Sequence, residues 1–300
     1  MAIDLDSFAT NPWPYVERYL IKTKSTYTKD TYRANINAYI DWCISTEHSS
    51  IKATEYVVRL YLGELLEDKN YAVSSVKLKL MSIRLLYKVM KSLGIRKDDP
   101  TADIKIHVDA TQQVPYKYLT INQLKELIGA AGCGSWPERD TAIIYLMGVE
   151  GLRATEILRI NRSDINWEDG SVRVKGKNRE EVMLFSPETM TVLQRYENYL
   201  IDLNYKGNSF IISFAHANLY NPLTRIGLSR VIEKHMESIG LRVTGASCKL
   251  LRDSCGTILY QKYHDIGLVG KVLRHRNINY TEKYRTAGRE VKRFTTGLLD

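Results

Sequence analysis

Apolar residues recur every three or four positions over the first hundred residues, which is the spacing of one face of an α-helix. Ser74 or Ser75 is a candidate cap for the last of these stretches, and Gly94 is placed to end it. The pattern predicts a bundle of four or so helices. The stretches cover residues 13–21, 28–46, 54–67 and 74–93.

A polar segment with two prolines, residues 97–115, then interrupts the helical spacing and predicts a linker. After it, Thr120 and Gln123 have the spacing of a capping box, which predicts a helix running to about Ala131. Helical spacing returns several times later in the chain. These later helices are expected at residues 137–150, 187–203, 224–239, 248–263 and 266–273, with a last one after Ala287.

Two short alternating runs, residues 171–175 and 181–185, flank the polar turn Gly176-Lys177-Asn178 and predict a β-hairpin. A third strand is expected over residues 209–214. The expected fold class is therefore mainly α with a small β-sheet (α+β). The domains are expected at residues 1–105 (helical), 106–115 (linker) and 116–300 (mixed, with a C-terminal tail).

The composition, 44% hydrophobic and 26% charged over 300 residues, is that of a globular chain. No apolar run reaches the roughly 18 residues of a membrane span, and the N-terminus does not have the pattern of a signal peptide. The four cysteines are scattered and form no C-x-x-C pair, so neither a disulfide framework nor a zinc site is expected. A cytoplasmic protein that does not bind a membrane fits this pattern.

The net charge of +9 is concentrated late in the chain. Residues 1–110 carry 16 basic and 14 acidic side chains, whereas residues 242–293 carry 12 basic and 4 acidic ones. Such a segment favours an anionic partner, with a merely solvated basic face as the alternative.

Four local patterns in this second half contain candidate chemistry. GLRATEIL places Arg153 three residues before Glu156, and VKGKNRE places Lys177 in the turn of the predicted hairpin. Taken alone, Arg153 and Glu156 could simply be a surface ion pair, and Lys177 could be a solvated turn residue with no further role.

The other two patterns lie in the basic segment. KLLRDSCGT places Lys249 three residues before Arg252, and LRHRNINYTEKY places His275 nine residues before Tyr284. Taken alone, Lys249 and Arg252 could belong to a basic helix face, and His275 could be a capped or core histidine. Tyr284 could be one of the packing tyrosines among the 20 in the chain.

Together and in this order, the patterns resemble the tyrosine recombinase (phage integrase) family, over about residues 116–290. In that family G-L-R-x-x-E-L supplies the first active-site arginine, here Arg153, and a hairpin lysine follows, here Lys177, 24 residues later. A His-x-x-Arg pair supplies Arg252, a Leu-Gly-His segment supplies His275, and the tyrosine nine residues beyond it is Tyr284.

The chain departs from the family pattern at three positions. Lys249 stands where the family usually has a histidine, Arg274 where it has a glycine, and Asp253 where a basic residue is common. Lys175 is a second lysine close enough to Lys177 to be confused with it.

The resemblance implies that Tyr284 attacks a DNA phosphodiester, leaving a 3′-phosphotyrosyl bond and a free 5′-hydroxyl. Arg153 and Arg252 would stabilise the charged transition state, Lys177 would protonate the leaving oxygen, and His275 would donate a hydrogen bond to the phosphate. Neither a metal nor a cofactor is implied.

Two further roles are expected within this site. Glu156 is expected to orient the active-site helix or an arginine. Lys249 is normally protonated and is expected to donate a hydrogen bond, the alternative being that neighbouring cations deprotonate it.

The partner implied is double-stranded DNA, bound between the helical domain (core-binding, SAM-like) and the catalytic domain. The protein would be a homotetramer on DNA, a monomer or dimer when free, and cytoplasmic and nucleoid-associated, of prokaryotic or mobile-element origin. Its C-terminal tail would dock on a neighbouring subunit or on its own domain.

Site-specific recombination, in integration, excision or resolution, is the function that the resemblance implies. A type IB topoisomerase and a DNA-binding protein that has lost catalysis are the alternatives.

Overall fold

We describe a computed structural model of the chain over residues 4–20, 25–106, 118–176, 179–241, 247–275, 277, 280–281 and 283–284. The contacts divide the chain into two compact units, Met1–Val114 and Pro115–Asp300. They are named the first unit and the second unit below.

The regular elements of the first unit are helices, as the spacing predicted, and its described residues contain no strand. Its helices are α1 (Leu5–Thr10), α2 (Trp13–Leu20), α3 (Thr26–Ser45), α4 (Glu55–Glu67) and α5 (Val73–Ser92).

Helix α1 was not expected, because its six residues are too few to show a helical period; the Asp4 side chain caps it by accepting a bond from the amide of Asp6. The prediction that Ser74 or Ser75 caps α5 is wrong. The helix begins at Val73, and Ala72 precedes it without a side-chain cap. Gly94 follows α5 with a φ of 73°, a left-handed conformation that ends the helix as predicted.

Aromatic packing fills the centre of the first unit. Tyr39 and Tyr87 are buried, and their hydroxyls lie 2.7 Å apart in a hydrogen bond. The Tyr87 hydroxyl also reaches the carbonyl of Ser50, at 3.0 Å. The polar ends of these rings are therefore satisfied inside an otherwise apolar bundle.

The second unit is mixed and follows the predicted order of elements closely. The capping box of α6 forms as predicted, with the Thr120 side chain on the Gln123 amide and the Gln123 side chain on the Thr120 amide. Its helices are α6 (Ile121–Gly132), α7 (Pro137–Gly148), α8 (Ala154–Ile157), α9 (Pro187–Asp202), α10 (Arg225–Ser238), α11 (Ser247–Tyr263) and α12 (Ile266–Val272).

The sheet contains the predicted hairpin but not the predicted third strand. Antiparallel strands β2 (Ser171–Lys175) and β3 (Glu180–Leu184) pair with each other, and the third strand is β1 (Ile165–Asn166), beside β2.

Residues 209–214 form only isolated bridges, Asn161 with Ser209 and Ile212 with Pro222. The strand prediction is wrong here because the backbone divides its hydrogen bonds between two separate segments. The apolar run reflects burial of Phe210, Ile211 and Ile212 rather than a strand.

Helix α7 lies in the core of the second unit and packs against α6, α9 and α11. It brings the turn at Gly151 close to α11 and to the end of α12, which is where the candidate site forms. Residues 107–115 of the predicted linker, the predicted helix after Ala287 and the C-terminal tail lie outside the described residues. Within the described part of the chain, no helix is long and apolar enough to cross a membrane.

Candidate active site

Arg153 and Glu156 form a compact pair at the start of α8. Arg153 is the residue just before the helix, and Glu156 reaches back so that its carboxylate accepts the Arg153 backbone amide at 2.8 Å and its guanidinium at 2.7 Å. The Glu156 side chain is 4% exposed and that of Arg153 is 41% exposed. Glu156 therefore holds Nη1 of the guanidinium, while Nη2 donates a longer bond, 3.4 Å, to the carbonyl of Arg274. The side chain is nevertheless partly exposed and accessible to a ligand.

Arg274 brings a second positive charge to the same carboxylate, from 118 residues away along the chain. Its guanidinium donates to Glu156 at 2.6 Å, and its backbone has a φ of 54°, the left-handed region that a glycine would adopt without strain. Burial alone would raise the pKa of Glu156, but the charge of Arg274 and the bonds from Arg153 lower it. Glu156 is thus an ionised carboxylate that organises arginines.

Arg252, on α11, is held by backbone oxygens. Its guanidinium donates to the carbonyls of Gly151 and Leu273 and lies 3.8 Å from Glu156. Burial and the nearby charge of Arg153 lower the pKa of Arg252 to about 10, so it remains charged at neutral pH. Gly151 has a φ of 66°, and a Cβ there would lie 2.5 Å from Leu273 Cδ2, so this turn requires glycine.

His275 and Tyr284 stack on each other with ring centroids 6.1 Å apart and planes inclined by 12°. Burial, together with the charges of Arg252 and Arg153, lowers the pKa of His275 to about 4, so its imidazole is neutral at neutral pH. Its Nδ1 lies 2.9 Å from the Thr281 hydroxyl. If that hydroxyl donates to Nδ1, the proton sits on Nε2 and makes it a donor.

Tyr284 is fully buried against α11. Its ring fits because residue 256 is glycine, where a Cβ would lie 2.6 Å from Tyr284 Cζ. Its hydroxyl donates to Asp253 Oδ1 at 3.2 Å. Burial and the negative charge of Asp253 both raise the pKa of Tyr284, so the phenol of the DNA-free protein holds its proton firmly.

An open pocket of about 700 Å³ adjoins these residues. It contains five cationic side chains and one carboxylate, a balance suited to a phosphodiester. Lys249 lies on its wall with 73% of its side chain exposed and its Nζ 2.8 Å from Asp253 Oδ2. The lining residues are Arg153, Ala154, Thr155, Arg225, Cys248, Lys249, Arg252, Asp253, His275, Tyr280 and Lys283.

The structure therefore brings together five of the six predicted site residues, and the sixth, Lys177, lies outside the described residues. The hairpin leading to it is tied to the site, because Arg179 donates to the carbonyl of Arg274 at 2.9 Å. At the end of β2, the carbonyl of Gly176 accepts a bond from Arg159 at 2.9 Å. Lys175 donates to both oxygens of the buried Asp164, at 2.8 and 2.9 Å. Lys175 therefore has a structural role and is not the candidate for the site lysine, which is Lys177.

Some residues of the site escaped sequence reasoning. Arg274 and Asp253 were noticed only as departures from a pattern, and Lys283 and Arg225 were not singled out. The departures at Arg274 and Asp253 were the signal that could have identified these two as site residues. Arg225 reaches the pocket from the first turn of α10 and has no motif around it. Among the described residues, no group of three or more His, Cys, Asp or Glu side chains is placed to hold a metal ion.

Comparison with family models gives two matches. The phage integrase family model matches residues 117–290, and the model of the phage integrase N-terminal SAM-like domain matches residues 16–95.

Among curated proteins, tyrosine recombinase XerD of Pasteurella multocida (strain Pm70) is 26% identical over 276 residues, covering 91% of this chain and 92% of its own. Tyrosine recombinase XerC of Oceanobacillus iheyensis (strain DSM 14371 / CIP 107618 / JCM 11309 / KCTC 3954 / HTE831) is 25% identical over 270 residues, covering 88% of this chain and 86% of its own.

Two solved structures share the fold. XerH recombinase bound to a palindromic difH substrate, a post-cleavage complex, aligns with a TM-score of 0.74 at 17% identity, covering 92% of this chain and 80% of that one. A lambda integrase tetramer bound to a Holliday junction aligns with a TM-score of 0.70 at 16% identity, covering 91% of this chain and 76% of that one.

Proposed function

Since the chain belongs to the phage integrase family and is a tyrosine-type site-specific DNA recombinase, we propose that Tyr284 cuts one DNA strand at a phosphate bound by Arg153, Arg252 and His275. The observation that carries these assignments is that residues from α8, α11 and the segment after α12 meet around one cationic pocket beside Tyr284. The reaction forms a 3′-phosphotyrosyl bond and releases a 5′-hydroxyl.

The two arginines bind and stabilise the phosphate. Attack makes the phosphorus five-coordinate and adds negative charge to its oxygens, and guanidinium groups fixed beforehand stabilise that charge without reorganising. Arg252 is fixed by two carbonyls and Arg153 by Glu156, so both are oriented before DNA arrives. His275, neutral in the pocket, donates a third hydrogen bond.

The leaving 5′-oxygen needs a proton, and Lys177 is proposed to supply it. In the sequence Lys177 lies between the end of β2 and the start of β3, and the assignment is supported by the nearby Arg179, which donates to the carbonyl of Arg274 beside His275. Lys249 is proposed to donate a hydrogen bond at the pocket wall, in keeping with its exposed ammonium.

The rest of the chain is proposed to hold the duplex. Residues 1–105 would form the core-binding domain, joined by a linker over residues 106–115 to the catalytic domain at residues 116–300, and both domains would bind double-stranded DNA. Because exchange between two duplexes needs four cuts, the working form would be a homotetramer on DNA, acting in the cytoplasm. The cationic pocket supports a strong dependence of binding on salt.

A covalent-adduct assay tests the proposal. Nicked duplexes are selected from a randomised pool by binding to the wild-type protein, and the nick traps cleaved product because the short 5′ fragment diffuses away. We expect a denaturation-resistant protein–DNA adduct that Tyr284→Phe abolishes.

The matched control is Tyr263→Phe, which removes a hydroxyl from an exposed tyrosine at the end of α11 and should leave the adduct unchanged. An adduct that persists in Tyr284→Phe would refute the assignment of the nucleophile. No adduct from the wild type would refute cleavage itself.

A further inference from the structure

Two of the departures from the family pattern touch each other. Lys249 and Asp253 lie one turn apart on α11, and the Lys249 ammonium bonds Asp253 Oδ2 at 2.8 Å. A histidine at position 249 would be a proton acceptor near neutral pH, whereas a lysine is a donor only. The replacement therefore removes one acceptor, and the aspartate adds another a single turn away.

The second oxygen of that aspartate faces the nucleophile. Asp253 Oδ1 accepts from the Tyr284 hydroxyl at 3.2 Å and from the Lys283 ammonium at 2.5 Å. Asp253 is 4% exposed, so its oxygens are held in place rather than freely solvated. It also lines the pocket that would contain the phosphate.

The tyrosine is equally constrained. Its ring is stacked on His275 on one side and rests against Gly256 on another, so the position of its phenolic oxygen is fixed by packing. A fixed hydroxyl pointing at a fixed carboxylate is the arrangement that proton transfer requires.

On these contacts we propose that Asp253 is the general base that takes the proton of Tyr284, with Lys249 and Lys283 as the cations that position it. This inference rests on the proposed function. Among the described residues, the charged and titratable groups around the carboxylate include Lys249 on its own helix, and Lys283, Tyr284 and His275 from the segments packed against it. Arg153, Arg225 and Arg252 line the same pocket.

The proton and electron balance is simple. As the tyrosine oxygen forms its bond to phosphorus, its proton moves to Asp253 Oδ1, and the P–O5′ bond breaks with its electron pair leaving on the 5′-oxygen. That oxygen takes a proton from the general acid, which is proposed to be Lys177. In rejoining, a 5′-hydroxyl forms the P–O5′ bond and returns its proton to Lys177, while the tyrosine oxygen leaves phosphorus and recovers its proton from Asp253.

The two lysines also solve an electrostatic difficulty. A carboxylate beside a phosphodiester would be repelled, and the ammonium groups of Lys249 on Oδ2 and Lys283 on Oδ1, at 2.8 and 2.5 Å, compensate its charge.

The test is the rate of adduct formation as a function of pH, on the nicked duplex selected with the wild-type protein. Asp253→Asn retains the shape and a hydrogen bond to Tyr284 but cannot take a proton. We expect cleavage to fall about 100-fold at neutral pH, within the range for loss of a general base. The remaining rate should rise about tenfold per pH unit, because the phenol must then lose its proton to solvent.

Asp253→Glu keeps a carboxylate, so it should recover part of the rate and restore the shallow pH dependence of the wild type. It also decides the question if Asp253→Asn does not fold. The matched control is Asp202→Asn, the same change at an exposed position at the end of α9.

Each outcome has one meaning. Cleavage by Asp253→Asn within about threefold of the wild type, or a deficit with an unchanged pH dependence, would overturn the assignment of the base while the proposed function stands. A steep pH dependence for Asp253→Glu would overturn it as well. No adduct from the wild type would overturn the proposed function and this inference with it.

Discussion

Two carboxylates organise the active site, and they do so in different surroundings. Glu156 binds arginines that are themselves buried or fixed, including the Arg274 guanidinium, whose side chain is 6% exposed. Asp253 binds an exposed lysine, a half-buried lysine and the nucleophile. The surroundings of Glu156 are those of a structural charge cluster that must remain buried. Those of Asp253 suit a group that exchanges a proton during the reaction.

The largest effect is expected from removing the charge of Glu156. Glu156→Gln removes the carboxylate nearest the buried Arg274 and Arg252 and leaves Arg274 the more distant Glu181 carboxylate, at 3.9 Å. We expect the free energy of unfolding to fall by about 3 kcal/mol. Urea denaturation at neutral pH measures this change.

Glu126→Gln, an exposed change on α6, serves as the control and should alter stability very little. A loss below about 1 kcal/mol in Glu156→Gln would mean that the arginines need no such counter-charge. Asp253→Asn should cost less stability than Glu156→Gln, since Lys249 is already hydrated.

The next largest effect is expected from changing the packing of Tyr284 against Gly256. In Gly256→Ala the new Cβ would lie 2.6 Å from Tyr284 Cζ, so the ring must move. We expect adduct formation to fall about 100-fold, because a shift of about 1 Å in a reacting group has that scale of effect, with DNA binding retained.

Gly129→Ala is the matched control, since a Cβ on this exposed helical glycine meets nothing within 4 Å. It should raise stability by about 1 kcal/mol and leave cleavage unchanged. Equal cleavage by both alanine variants would show that the packing of Tyr284 on α11 does not set its reactivity.

The pH dependence of the free energy of unfolding tests whether His275 is buried as a neutral group. The folded pKa of His275 is lowered to about 4 from 6.5, so the unfolded chain binds its proton more strongly in between. The stabilising contribution is fully present above pH 6.5 and is lost as the pH falls towards 4.

Urea midpoints at about pH 7 and about pH 5 measure this loss, and His275→Gln should lose less stability across that interval than the wild type. Identical losses in the two proteins would show that His275 is not buried as a neutral group.

The smallest effect is expected at Lys249. Because 73% of its side chain is exposed, Lys249→Ala should change stability by about 0.5 kcal/mol or less. Adduct formation should fall about threefold to tenfold as Asp253 loses one of its two cations. Lys262→Ala, on the same helix and away from the pocket, is the control. Wild-type cleavage by Lys249→Ala would rule out both a donor role and a positioning role for this lysine.

Local features of the fold were predictable from the sequence because they depend on neighbours in the chain. The capping box at Thr120 and Gln123 and the stop at Gly94 involve residues within a turn of each other. The hairpin of β2 and β3 likewise needs only two alternating runs around a polar turn.

Predictions failed where the partner lay elsewhere. Residues 209–214 resemble a strand, but their bonds are shared between residues near 161 and residues near 222. In the site, Arg274 was visible only as an odd residue in a Leu-Gly-His position. That it pairs with Glu156 depends on a contact 118 residues apart in sequence.

The sequence by itself determined which groups are available for the chemistry: arginines that are always charged, a tyrosine nine residues after a histidine, and an excess of positive charge in residues 242–293. Those properties belong to residue types and their spacing. Only the tertiary structure decided which side chains meet, which are buried and which proton each one holds, because burial and charge–charge distance are set by packing between distant segments. The contact of Asp253 with Tyr284 is one example, because the spacing of residues in the sequence does not show it.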